Sequence, residues 1–209
     1  NGTVYLVGAG PGDPELLTRK AHRLIGEAEA IVYDYLVAPE ILALARADAE
    51  RVFVGKKGGG FCCPQRDIES IFIRLAREGK RVVRLKGGDP FMFGRGGEEA
   101  EALVAAGIPF EVVPGVTAAT AAGADAAFPL THRGKAASVT FLTGHCADGT
   151  DQNWKAHIET GATLCLYMGA KALPSVATKL IAAGAQADLP IRLLSKVSQD
   201  GASDILTTL

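Results

Sequence analysis

The sequence predicts an α/β protein, a mostly parallel sheet followed by a second set of strands, and three observations carry that expectation. Short Val- and Ile-rich runs alternate with stretches of helical periodicity, as in chained β-α-β units. Glycine-rich loops sit directly after strand-like runs. The pattern shifts after residue 113, where Pro114 and Gly115 precede an alanine-rich stretch, so a boundary is predicted there, with domains at 1–114 and 115–209.

Runs at 4–7, 30–33, 52–54, 82–85 and 110–113 read as buried strands of a parallel sheet. Asp13 can cap a helix with Pro14 at its first position and Leu16, Leu17, Ala21, Leu24 and Ile25 on one face. Ile68, Ile71, Phe72 and Leu75 make a second such stripe. Further strands are predicted at 139–142, 164–167 and 191–194, with a helix over 173–183. Residues 205–209 read as an edge or hairpin strand with no closing partner after it.

With 209 residues, 48% hydrophobic, the chain can bury real cores. Lys and Arg number 22 against 23 Asp and Glu, a net charge of -1, so no global basic field invites nucleic acid. An anionic ligand must then be met by local cations. Cys62, Cys63, Cys146 and Cys165 contain no CxxC pair, which suits neither a disulfide framework nor a zinc site, and no metal is expected. No apolar run nears the ~20 residues that span a bilayer, and no signal-peptide pattern opens the chain, so a cytoplasmic location without membrane partners is expected.

Gly8-Ala-Gly-Pro-Gly-Asp13 follows the first strand, but its G-x-G-x-G spacing and internal Pro11 miss the dinucleotide pattern G-x-G-x-x-G. Lys86-Gly-Gly-Asp-Pro90 follows the fourth strand, with Gly94-Arg-Gly-Gly97 close behind. Ligands of open α/β sheets bind outside the strands' carboxyl ends, so the two loops are expected to face a common crevice. There Asp89 offers a carboxylate to ribose hydroxyls or an amino group, and the Gly87 and Gly88 amides offer donors. Thr117 either faces a ligand or simply caps a helix. Met168, in Tyr167-Met-Gly169, reads as a ligand-facing residue or as core filler.

These residues carry a resemblance. Val4-Tyr-Leu-Val-Gly-Ala-Gly-Pro-Gly-Asp-Pro-Glu-Leu-Leu-Thr18, Val82-Val-Arg-Leu-Lys-Gly-Gly-Asp-Pro-Phe-Met-Phe-Gly-Arg-Gly-Gly-Glu-Glu99 and Val112-Val-Pro-Gly-Val-Thr-Ala118 resemble the tetrapyrrole methylase family. The likeness is strongest to its branch acting on uroporphyrinogen III. Pro129-Leu-Thr-His-Arg133, Thr143-Gly-His145 and Tyr167-Met-Gly169 resemble it in the same order. The resemblance implies the two-domain tetrapyrrole methylase fold, with a mostly parallel N-terminal sheet, a mixed C-terminal sheet and the cofactor in the inter-domain cleft. It implies a homodimer that methylates uroporphyrinogen III at C2 and C7 with S-adenosylmethionine, releasing S-adenosylhomocysteine and giving precorrin-2 for sirohaem or cobalamin. The chain would be a standalone enzyme or the methyltransferase part of a longer sirohaem synthase. It also implies family residues beyond Leu209, so the C-terminal domain is expected to be cut short.

Carried over residue by residue, the family's cofactor contacts fall on Pro11, Gly87, Gly88, Asp89, Met92, Thr117, Ala118 and Met168. Its proton acceptor falls on Asp34 and its proton donor on Lys56; hydrogen bonding for Asp34, or a substrate-carboxylate contact for Lys56, are the alternatives. A substrate with many carboxylates suits Arg84, Arg95, Thr131, His132 and Arg133, some of the cations being only solvated surface charges. Rivals are another methyltransferase of the same fold, such as a later precorrin methyltransferase or a diphthine synthase, and a tetrapyrrole-binding protein without turnover.

Overall fold

Five strands form one sheet in the order β3-β2-β4-β1-β5, every pairing parallel: β1 (Val4–Gly8), β2 (Ala30–Tyr33), β3 (Glu50–Phe53), β4 (Val82–Lys86) and β5 (Phe110–Val113). The computed structural model describes residues 2–55, 63–144 and 151–209. β3 begins earlier than predicted because Glu50 N donates to Glu29 O (2.9 Å) and Glu50 pairs with Ala30, a ladder contact that hydrophobicity does not signal.

Both faces of the sheet are covered. α1 (Arg19–Glu27) and α2 (Pro39–Leu42) contribute Ala21, Leu24, Ile25 and Ile41 to one core, with Val7, Ile31, Val83 and Leu85 beneath them. α3 (Gln65–Arg77) and α4 (Gly96–Ala105) contribute Ile68, Phe72, Leu75 and Leu103 to the other, over Val4, Leu6, Val32 and Val82. The topology explains the division: the chain steps from β1 to β2 to β3 toward one edge, then from β3 to β4 to β5 toward the other. Right-handed crossovers that move in opposite directions place their helices on opposite faces. β1 and β4 lie side by side while their loops lead to opposite faces, so this pair is the topological switch point where such sheets bind ligands.

The helix predicted from Asp13 is two helices. Asp13 caps a 3-10 turn over Pro14–Leu16, accepting from Glu15 N (2.8 Å); Leu17 is extended (ψ 140°), and Thr18 then caps α1 by accepting from Ala21 N (3.1 Å). A second side-chain cap two residues into an apolar stripe restarts the helix.

The chain divides into two compact units, Asn1–Ala118 and Ala119–Leu209. Past α5 (Ala118–Asp125), the second unit carries β6 (Val139–Thr143), α6 (Trp154–Glu159), β7 (Thr163–Tyr167), α7 (Leu173–Ala182), β8 (Pro190–Ser195) and β9 (Ser203–Thr208). Its mixed strand directions are divided between two sheets, a parallel β6-β7 pair and an antiparallel β8-β9 hairpin. Leu142, Trp154, Val176 and Leu180 form its core. Among the described residues no helix is long and apolar enough to cross a membrane.

Candidate active site

Loops leave the carboxyl ends of β1, β2, β4 and β5, and glycines let their backbones touch. A Cβ on Gly8 would lie 2.6 Å from Gly115 N and 2.7 Å from Gly88 O, and one on Gly115 would lie 2.2 Å from Gly88 O. The β1 and β4 loops are also joined by hydrogen bonds: Gly10 N donates to Gly88 O (3.1 Å), and Gly88 N to Gly10 O (2.7 Å). The Gly88 amide, expected to serve a ligand, is therefore committed to Gly10. Gly88 has φ 69°, and its Cβ direction is open, the nearest atom being Thr117 Cα at 4.0 Å, so that side of the loop is bare backbone. Gly87 has a different reason to be glycine. A Cβ there would meet Leu36 Cβ at 2.7 Å, so its absence admits the β2 loop.

Asp89 fixes the β4 loop. Its Oδ1 accepts from Phe91 N (2.8 Å) and its Oδ2 from Gly115 N (3.1 Å), tying the β4 loop to the β5 loop. Removing a carboxylate that holds two backbone amides forfeits about 1.5–3 kcal/mol. Asp89→Ala is therefore expected to lower folding stability by about that amount. Urea denaturation checks this, and unchanged stability would contradict the loop contacts.

Beneath these loops lies a charge cluster. Val82, Arg84 and Lys86 alternate on the β4 face that meets α3 and α4, and Arg84 and Lys86 are 3% and 5% exposed. Buried charges need partners, and α4 supplies Glu99, which is fully buried. Arg84 Nε donates to Glu99 Oε1 (3.0 Å), as do Lys86 Nζ (3.1 Å) and Gln65 Nε2 (3.3 Å). Glu99 Oε2 lies 3.0 Å from Lys86 Nζ, an ion-pair contact without hydrogen-bond alignment. Burial holds the Lys86 ammonium below its usual pKa range, Arg84's like charge acts the same way, and Glu99 opposes both. Arg84 also reaches the β2 loop: its NH2 group donates to Asp34 Oδ2 (3.2 Å), while Asp34 Oδ1 accepts from Leu36 N (3.0 Å).

Arg84 is thus not an open cation for substrate, as expected from sequence, because its guanidinium is enclosed and paired with two carboxylates. Glu99 entered the sequence reading only as the last residue of a motif, without a role, and Gln65 not at all. The signal existed: two cations at alternate positions of a strand read as buried demand an acid, and the helix opening at Gly96 offers two. Glu98 turns outward to Arg95, whose Nε and NH2 reach its two oxygens at 2.9 and 2.6 Å, raising the arginine's pKa and lowering the acid's. Arg95 is exposed, and it and Phe93 hold positive φ (58° and 51°), strain of the kind that gathers at functional sites.

In the first unit Pro11, Asp34, Gly87, Gly88, Asp89, Met92, Arg95 and Thr117 lie on segments that follow the carboxyl ends of its strands, while Arg84 lies within β4 and Ala118 opens α5. Lys56 and His145 lie outside the described residues. In the second unit, Met168 follows β7 at φ 55° and is 60% exposed, which excludes core filler. Gly144 gives it room, since a Cβ there would meet Met168 O at 3.0 Å. Thr131, His132 and Arg133 stand on an exposed turn, closed by Ala136 N donating to His132 O (3.0 Å), with His132 Nδ1 2.8 Å from Arg133 O.

The switch-point loops of this parallel α/β sheet lack the dinucleotide pattern G-x-G-x-x-G and lie over a buried ion cluster. The chain belongs to the tetrapyrrole (corrin/porphyrin) methylases, whose family model matches residues 3–209. It is similar to siroheme synthase of Pseudomonas paraeruginosa, 55% identical over 93% of this chain and 42% of that protein. To siroheme synthase of Azotobacter vinelandii it is 52% identical over the whole chain and 45% of that protein. It thus spans a little under half the length of these curated relatives. Among solved structures, it is similar to a uroporphyrin-III C-methyl transferase from Thermus thermophilus complexed with S-adenyl homocysteine (40% identity, TM-score 0.86, covering 99% of this chain and 83% of that one). A cobalt precorrin-4 methyltransferase shares the fold (28% identity, TM-score 0.87, covering 99% and 85%).

Proposed function

We propose that this chain methylates uroporphyrinogen III at C2 and C7, using S-adenosylmethionine and giving precorrin-2 for sirohaem or cobalamin formation. The observation that carries this reading is the 40% identity, over 99% of the chain, to a uroporphyrin-III C-methyl transferase that holds S-adenyl homocysteine. The siroheme synthase relatives support the same substrate.

The glycine-gated loops suit the cofactor: Gly88 offers bare backbone on an open side, and Asp89 holds its loop to that of β5. Pro11, Gly87, Gly88, Asp89, Met92, Thr117, Ala118 and Met168 would hold S-adenosylmethionine, which supplies an electrophilic methyl carbon when bound. The protein's work is then orientation and exclusion of water rather than nucleophilic attack. Asp34 receives the proton the macrocycle loses: a C–H bond breaks, its electron pair stays in the ring system, and the carboxylate takes the proton. Lys56, the family's proton donor by resemblance, meets a substrate carboxylate. Arg95, Thr131, His132 and Arg133 meet the substrate's carboxylates. The resemblance to the family supports a homodimer working in the cytoplasm.

Asp34→Asn is expected to retain S-adenosylhomocysteine affinity while lowering turnover by about 100-fold or more. Calorimetry and a methyl-transfer assay separate the two effects, and full turnover in this variant would contradict the role of Asp34.

A further inference from the structure

Asp34 is the one member of the charge cluster that reaches solvent, with 21% of its side chain exposed against 4% for Arg84, 6% for Lys86 and none for Glu99. The guanidinium of Arg84 is fixed from several directions. Nε is bound to Glu99 Oε1, while NH1 donates to Leu85 O (3.1 Å) and Val32 O (3.4 Å). Only NH2 is left to point along the sheet toward Asp34 Oδ2, at 3.2 Å. Leu36 N holds the other carboxylate oxygen, so both Asp34 oxygens are engaged.

Such a cluster is a poor way to gain stability, because apolar residues of similar volume usually serve as well. Its geometry accomplishes something that apolar residues cannot: it anchors a carboxylate on an otherwise exposed loop from below. Lys86 and Gln65 donate to the same Glu99 Oε1 that Arg84 Nε reaches, so the oxygen that orients Arg84 is itself held in place.

We infer that Arg84, oriented by Glu99, is the positioning residue for Asp34, holding its carboxylate at one place and angle for proton transfer. The inference rests on the proposed role of Asp34. It makes Arg84 act through Asp34, and not by touching substrate.

Arg84→Lys keeps the charge but loses the fixed fork that spans Glu99 and Asp34. Its expected result is unchanged S-adenosylhomocysteine affinity and unchanged KM for uroporphyrinogen III, with kcat lower by about 100-fold, the scale of a misplaced reacting group. In an Asp34→Asn background the same change is expected to cost no further rate, because the two residues act as a unit. Wild-type kcat in Arg84→Lys, or a further full loss in the Asp34→Asn background, would overturn the inference.

If Arg84→Lys does not fold, the triple variant Arg84→Met, Lys86→Met, Glu99→Leu removes all three buried charges at similar volume. It is expected to fold and bind S-adenosylhomocysteine but turn over as slowly as Asp34→Asn; wild-type turnover would overturn the inference. Full activity of Asp34→Asn would instead defeat the proton-acceptor reading, and the inference with it. A slow Asp34→Asn beside a fully active Arg84→Lys would defeat the inference alone.

Discussion

Glu99→Ala is expected to lower folding stability by about 3–5 kcal/mol, the cost of removing one partner from a buried ion pair. The carboxylate is fully enclosed and faces two cations, so its loss leaves Arg84 and Lys86 buried with like charges and no counter-charge among their described ion-pair partners except Asp34. That is a large part of the ~5–15 kcal/mol that holds a typical domain together. Glu98→Ala, one position earlier on α4, removes only the exposed partner of Arg95 and is expected to cost about 0–1 kcal/mol. Urea denaturation of both variants measures the contrast at constant slope. Equal destabilisation would mean that the cluster under β4 does not hold the fold as described.

Gly115→Ala is expected to abolish detectable S-adenosylhomocysteine binding and to cost about 1–3 kcal/mol of stability, the usual range for an atom forced into a filled space. The new methyl would stand 2.2 Å from Gly88 O and 2.9 Å from Gly8 Cα, and both obstacles are backbone, which no rotamer change can move aside. The β4 and β5 loops must separate, which also breaks the Asp89 contact to Gly115 N. Gly26→Ala is the matched control. It lies within α1, where the added atom meets nothing closer than Leu44 O at 3.8 Å, so a slight gain in stability and normal binding are expected. Calorimetry and denaturation on the pair decide it; normal binding by Gly115→Ala would contradict the loop contact.

The parallel sheet was legible because strands covered on both faces read as unbroken apolar runs, and Val4, Val82 and Val83 could hardly be anything else. Turn chemistry was less legible: the cap at Thr18 competes with an apolar stripe that continues through it, and the stripe alone suggests one helix. The most instructive misreading is Arg84. A charged residue suggests surface, yet the two-residue period that buries Val82 also buries Arg84 and Lys86, and the compensating Glu99 comes from a helix that follows in sequence. Asp89 was legible as a carboxylate on the loop after β4, but not that its oxygens already bind two amides of its own chain, because loop-to-loop contact depends on tertiary approach. Lys56 was singled out by resemblance to the family, and it lies outside the described residues.

The proposed reaction places two methyl groups on uroporphyrinogen III. Incubation with that substrate and isotopically labelled S-adenosylmethionine, followed by mass measurement of the tetrapyrrole, tests it directly. The expected product carries two labelled methyls, passing through a singly methylated intermediate. A tetrapyrrole of unchanged mass, from protein that binds S-adenosylhomocysteine normally, would contradict the claim and point to a different substrate for the same fold.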